Sequence, residues 1–227
     1  MNAQSGEIIA MASHPTYDPN ALDAIGPDLM VDASRPLVNR ATQGLYLQHN
    51  AVVPMLTAGS LSPGFDTTTE ILDMLGLYSP PQIRLPVSAS PGGTAADRLH
   101  VSPLQMAVAA ATLSNHGVRP APRIALAVNT PREGWVVLPA LGDDVAVFSA
   151  EAADKASLHY ASKGSALWSW RVTGASSRQV ITWYLSGTLP DWRGTPLVSV
   201  VLLESSDLAS ATAIGNQLLQ AAGSPRP

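Results

Sequence analysis

The clearest periodic segment of the chain is residues 102–117. Leu104, Ala107, Val108 and Ala111 recur at i, i+3, i+4 and i+7, which is one face of a helix. Ser102 is a natural N-cap, Pro103 suits the first helical position, and Asn115 and Gly117 supply the stop. Residues 51–61 are apolar and helix-compatible, with Pro54 in the first turn. Residues 66–77 predict a short amphipathic helix. Asp66 and Thr67 are its cap candidates, Glu70 follows Thr67 by three residues, and Ile71, Leu72 and Leu75 form the apolar face.

Further along, the pattern changes to that of strands. The runs 180–186 and 197–203 are rich in β-formers and are separated by a loop holding Pro190, Asp191 and Gly194, so they predict an antiparallel hairpin. The second run, LVSVVLL, has almost no polar face and is expected to be a central strand covered on both sides. Residues 171–174 are expected to add a strand to the same sheet. Ser206 and Asp207 then cap a last helix, with Ala211, Ile214, Leu218 and Ala222 on its apolar face and Gly223 at its end. At the other end of the chain, GEIIAMAS (6–13) predicts a strand that joins this sheet. Residues 14–35, rich in Pro, Asp and Asn, predict a loop with at most one helical turn. Residues 79–97, dominated by Pro, Ser, Gly and Ala, predict a long surface loop. This order implies an α+β fold, mainly an antiparallel sheet covered by helices, as one domain over 1–227.

Composition narrows the chemistry. Apolar residues make up 46% and charged residues 13% of the 227 positions, so the chain can bury a core. A net charge of −4 argues against a nucleic-acid partner held by a basic patch. With no cysteine there is no thiolate nucleophile and no Cys-ligated metal. The histidines His14, His49, His100, His116 and His159 lack metal-ligand spacing and are expected to be ordinary surface or turn residues. Asp143 and Asp144 are expected to be solvated loop charges. No Walker loop, G-x-S-x-G, H-E-x-x-H or G-x-G-x-x-G occurs, and neither a cofactor nor a metal is expected. No run approaches the ~20 apolar residues of a membrane span, and the first residues lack a signal-peptide pattern. The basic residues are 11 Arg and only two Lys, Lys155 and Lys163.

Several segments taken together carry a resemblance. Ser5–Ser13 followed by Pro15 and Tyr17-Asp18-Pro19-Asn20, then Pro36-Leu37-Val38-Asn39-Arg40-Ala41-Thr42-Gln43-Gly44-Leu45-Tyr46, are similar to stretches of the penicillin-binding protein transpeptidase domain, a serine transpeptidase related to the β-lactamases. So are Val101-Ser102-Pro103-Leu104-Gln105-Met106-Ala107 and Asn115-His116-Gly117. Val172-Thr173-Gly174-Ala175, Trp183–Gly187 and the run 198–204 resemble the family's K-T-G strand and the two strands after it. The matches run in family order.

The resemblance implies an extracytoplasmic, peptidoglycan-directed domain, here a fragment of a longer protein anchored to the bacterial membrane by a segment outside this chain. In the family, acyl transfer needs S-x-x-K, S-x-N and K-T/S-G. A serine attacks, a lysine one helical turn away handles its proton, and the K-T/S-G strand binds the substrate carboxylate. The family's serine position, four residues after Tyr46, is Asn50. The lysine position is Val53, and Val172 stands for the lysine of the third motif, where Thr173 and Gly174 remain as expected binding positions. The family's Pro-Pro-Gly before the serine has become Leu47-Gln48-His49. Neither Lys155 nor Lys163 completes an S-x-x-K or a K-T/S-G, and no Ser is followed two residues later by Asn. The short passage from Leu61 to Asp66 leaves no room for the S-x-N insert. The implied function is a transpeptidase-like domain that does no catalysis and acts as a scaffold, or binds a cell-wall peptide or a division protein. The alternative is an active acyl-serine enzyme using Ser162-Lys163, Ser60 or Ser62.

Overall fold

The computed structural model describes residues 1–176 and 179–223. After a short 3-10 turn at Pro19–Ala21, the chain forms α1 (Leu22–Val31), α2 (Arg40–Gln43), β1 (Tyr46–Leu47), α3 (Val53–Leu61) and α4 (Thr68–Met74). Then come β2 (His100–Val101), α5 (Pro103–Ser114), β3 (Val118–Arg119), β4 (Ala127–Thr130), β5 (Gly134–Val137), β6 (Val145–Ala146) and α6 (Ala150–His159). The last third is β7 (Leu167–Ala175), β8 (Val180–Thr188), β9 (Val198–Leu203) and α7 (Leu208–Gly223).

The main sheet is antiparallel with order β7-β8-β9. Alternation along each strand divides its side chains. Ile181, Trp183 and Leu185 of β8 join the main core on the α5 side, whereas Tyr184 and Val201 pack with Ala211 under α7. α5 is the interior helix and packs against β8, β9, α2, α3, α6 and β3. Its start follows from sequence: the Ser102 side chain accepts from the Gln105 amide and the Gln105 side chain accepts from the Ser102 amide. Gln105, buried, also donates to the carbonyls of Leu77 and Ser79, at 3.1 Å each. At the far end the Ser114 hydroxyl donates to the Thr188 carbonyl and accepts from Trp168 Nε1, both at 2.9 Å. α4 starts with the expected capping box of Thr67 and Glu70.

Four expectations are corrected. Residues 6–13 do not form a strand. The free edge of β9 is met by Met1–Ala3 instead, through a bridge of Asn2 with Leu197 and bonds between Met1 and Val198. Gly6, at φ +71°, lies so close to the Ala121 carbonyl that a Cβ would collide with it, and there the chain turns off the sheet. Second, 14–35 holds α1. Asp18 caps the 3-10 turn with its side chain and Pro19 starts it, so the residues that signal a loop act here as helix starters. Third, the central strand is β8. β9 is apolar because α5 and α7 cover its two faces, not because strands flank it on both sides. Fourth, α7 buries Ala211, Gly215 and Leu219 and leaves Ile214, Leu218 and Ala222 exposed. The Tyr184 ring lies where a Gly215 Cβ would be, and Tyr184 Oη bonds Asn216 Oδ1 at 2.7 Å, which sets the rotation of the helix.

Of the expected loop 79–97, residues 79–95 hold no regular element, while a 3-10 turn, Ala96–Arg98, takes its last two positions. The segment is tied down by bonds such as Tyr78 Oη to the Thr94 carbonyl and the Ser88 amide to the Thr42 carbonyl. The hairpin β4–β5 and helix α6, N-capped by Ser149, have no counterpart in the sequence-based expectations.

Replacing Gln105 with Leu keeps the rough volume but removes the donor to the carbonyl of buried Leu77 and to that of Ser79. Urea titration is expected to show a loss of about 2–4 kcal/mol.

Candidate active-site cleft

The cleft is built from the α2–α3 segment and the outer strand β7. Asn39 caps α2 through its side chain. Arg40 Nε meets Glu204 Oε1 at 3.2 Å, and Tyr46 Oη donates to the same oxygen at 2.7 Å. Burial first, and then the neighbouring Glu204 carboxylate, push the Tyr46 hydroxyl's pKa well above its ordinary value, so it remains a donor. Gly44 is required here because a Cβ would press on the Arg40 carbonyl and the Tyr46 ring. The N-R-A-T-Q-G-x-Y stretch thus works as a fastener between α2, β1 and the end of β9. Trp183, fully buried, adds a bond from Nε1 to the Leu47 carbonyl at 3.0 Å.

The chain then turns through His49 and Asn50, both in the left-handed region at φ +42° and +66°. Ala51 and Val52 plug into the core, and α3 begins at Val53. The Asn50 carbonyl accepts from Trp170 Nε1 at 3.0 Å, which holds this turn against β7. Trp170 meets the Tyr160 ring edge-on at 5.3 Å between centroids. Tyr160 Oη lies 2.8 Å from Thr57 Oγ1, which donates to the Val53 carbonyl at 3.0 Å. Tyr160 and Trp170 thereby close a ring of contacts around the first turn of α3.

On β7, Val172 and Gly174 share the face of Trp168 and Trp170, toward α3. Val172 packs against the main core. Thr173 points to the other face, its hydroxyl 2.9 Å from that of Thr182, which donates to the Ser205 carbonyl at 2.7 Å. Gly174 is covered by the imidazole of His49, and a Cβ at 174 would collide with that ring. The His49 pKa lies below its ordinary value, chiefly through burial and secondly through the nearby His100. Asn50, His49, Trp170 and Gly174 are thus brought together, while the Thr173 hydroxyl is not.

The alternative nucleophiles are occupied otherwise. Ser60 donates to the Thr57 carbonyl, and Ser62, just past the end of α3, accepts from the Ser149 amide. Ser162 and Lys163 sit exposed in the turn between α6 and β7, and Lys155 pairs with Glu151 on the surface. Among the described residues no group of three or more His, Asp or Glu could hold a metal ion. Two surface depressions, of about 430 and 290 Å³, are lined by Thr67, Glu70, Asp73, Tyr78 and Gly93 and by residues around Arg119 respectively, and neither includes His49, Asn50, Val172 or Gly174.

No family model matches the chain. The peptidoglycan D,D-transpeptidase MrdA of Escherichia coli (strain K12) is 39% identical over 74 residues, which are 30% of this chain and 12% of that protein. MrdA of Salmonella typhimurium (strain LT2) is 38% identical over 68 residues, 11% of its length. The matched segment is therefore a small part of those relatives. Among solved structures, the penicillin G acyl-enzyme complex of penicillin-binding protein A from M. tuberculosis aligns over 98% of this chain and 73% of its own, with a TM-score of 0.78 and 19% identity. The chain has the fold of a penicillin-binding protein transpeptidase domain. The D,D-transpeptidase domain of a peptidoglycan glycosyltransferase from Eggerthella lenta gives the same result, with a TM-score of 0.76 over 98% of this chain and 77% of that one, at 16% identity. No helix among the described residues is long and apolar enough to cross a membrane.

Two signals for this transpeptidase-like cleft could have been taken from sequence. Trp168, Trp170, Val172 and Gly174 follow one another at period two, so the two tryptophans belong on the cleft face. His49 replaces a glycine of the family stretch while Gly174 is retained, which pairs a bulky ring with an empty partner.

The depressed pKa of His49 has a consequence for stability. The folded state favours the neutral ring, so its contribution is complete above the ordinary value near 6.5 and is lost as pH falls through the folded value. The Tm advantage of the wild type over His49→Gln is expected to shrink between pH 7.5 and pH 5 in scanning calorimetry.

Proposed function

We propose that this transpeptidase-like domain serves peptidoglycan synthesis at the extracytoplasmic face of a bacterial membrane without forming an acyl-enzyme itself. Its role is that of a scaffold, or of a binding module for a cell-wall peptide or another cell-wall protein, with the anchor supplied by sequence outside this chain. The fold shared with penicillin-binding domains and the local identity to MrdA support the setting. The observation that carries the reading is Asn50, the residue at the family's nucleophile position, beside β7.

Acyl transfer needs an oxygen nucleophile, a base for its proton and a cation for the substrate carboxylate. The nitrogen of the Asn50 amide is delocalised into its carbonyl and is a very poor nucleophile. Val53, one turn along, has no proton acceptor. Val172, whose side chain packs into the core, carries no charge. Loss of all three removes the reaction as a unit, since partners of this kind act together and not additively.

Intact-mass measurement after prolonged incubation with benzylpenicillin is expected to show only the unmodified chain. Asn50→Ser alone is expected to remain unlabelled, because an unassisted hydroxyl stays protonated at neutral pH. One penicilloyl group per wild-type chain, mapped to Ser60, Ser62, Ser162 or any other serine, would overturn the proposal in favour of an active enzyme with different machinery.

A further inference from the structure

The geometry points to His49 as a built-in plug: its imidazole fills the slot between the Asn50 turn and Gly174, so the unmodified domain does not admit a β-lactam or an acyl-peptide there even non-covalently. This rests on the reading of the domain as non-catalytic and narrows it, because it removes the cleft from the surfaces on which a partner could dock.

Three observations converge on the ring. A Cβ on Gly174 would collide with it, so it lies against the backbone of β7. The turn that carries it is fixed on both sides: Trp170 Nε1 bonds the Asn50 carbonyl, the Gln48 amide bonds the Leu99 carbonyl at 3.1 Å, and Gln48 Nε2 bonds the Ala96 carbonyl at 2.9 Å. It is partly buried, and that burial disfavours the charged form of the imidazole. A ligand laid on the face of β7 against Gly174 would need the space that the imidazole takes, and the ring excludes it by volume.

The backbone makes the plug removable. At φ +42°, residue 49 has a conformation that glycine adopts without strain, so His49→Gly deletes the ring while keeping the turn. Gly174→Ala tests the same contact from the opposite side, since its Cβ must displace the ring.

The experiment is saturation-transfer NMR of benzylpenicillin with the wild type and with His49→Gly, each sample also weighed intact. No transfer to the wild type, and transfer to His49→Gly at an apparent affinity at least tenfold tighter, is the expected result. Transfer to the wild type without added mass overturns the plug but leaves the non-catalytic reading standing, whereas added mass overturns both. Transfer to neither protein overturns the plug, since some other feature then closes the cleft. A second measurement does not depend on ligand. The His49 imidazole, followed by its ring proton shifts, is expected to titrate below the ordinary histidine value in the wild type and to move toward it in Gly174→Ala, which relieves the burial but not the influence of His100. An unchanged titration in Gly174→Ala means that the ring does not sit on Gly174 and contradicts the inference.

Discussion

The burial of α5 on all its faces is the constraint on which the rest depends. A helix enclosed by β8, β9, α2, α3, α6 and β3 has no solvent to satisfy its ends or its polar side chains. Each such group therefore has a protein partner. Ser102 and Gln105 satisfy one another at the start, Gln105 reaches the carbonyls of Leu77 and Ser79, the Thr112 hydroxyl returns to the Ala109 carbonyl at 2.7 Å, and Ser114 joins Thr188 to Trp168. These bonds fix the chain on either side of the helix as well. Through Leu77 and Ser79 they hold the end of the α4 segment, and through Trp168 and Thr188 they hold β7 and β8 in register.

The transpeptidase-like fold is held by interactions that do not involve the side chains of Asn50, Val53 or Val172. Arg40 and Tyr46 converge on Glu204, and the Trp183 indole holds Leu47, so the turn at residues 49–52 is delivered to β7 whatever side chains it bears. The α2–β1 fastener and the α5 caps can persist while Asn50, Val53 and Val172 carry no reactive group. Apolar side chains at 53 and 172 also suit a closed cleft better than lysines would, because a buried ammonium without a partner costs several kcal/mol.

Much of this was legible in the sequence where local rules and tertiary context agree. The N-cap of α5 at Ser102 and the capping box of α4 from Thr67 to Glu70 are local and were expected, while the return bond from Gln105 to Ser102 came from the structure. The β8–β9 hairpin followed from β-rich runs flanking a Pro-Asp-Gly loop. What the sequence hid were decisions made by distant groups. The exit of residues 6–13 from the sheet depends on Gly6 meeting Ala121, and the rotation of α7 depends on Gly215 meeting Tyr184. In the cleft, the identities at Asn50, Val53 and Val172 could be read directly. The seating of His49 on Gly174, and the bond from Trp170 to the Asn50 carbonyl, join positions more than 100 residues apart and leave no local pattern.

The central claim is that the fold has been kept while the cleft has been filled and chemically emptied. A crystal structure of the domain soaked with imipenem tests both parts at once. The account predicts the His49 ring on Gly174, the Trp170 indole on the Asn50 carbonyl, and no drug density between α3 and β7. Continuous density from any serine Oγ to a ring-opened drug, with His49 swung out of the slot, would contradict it.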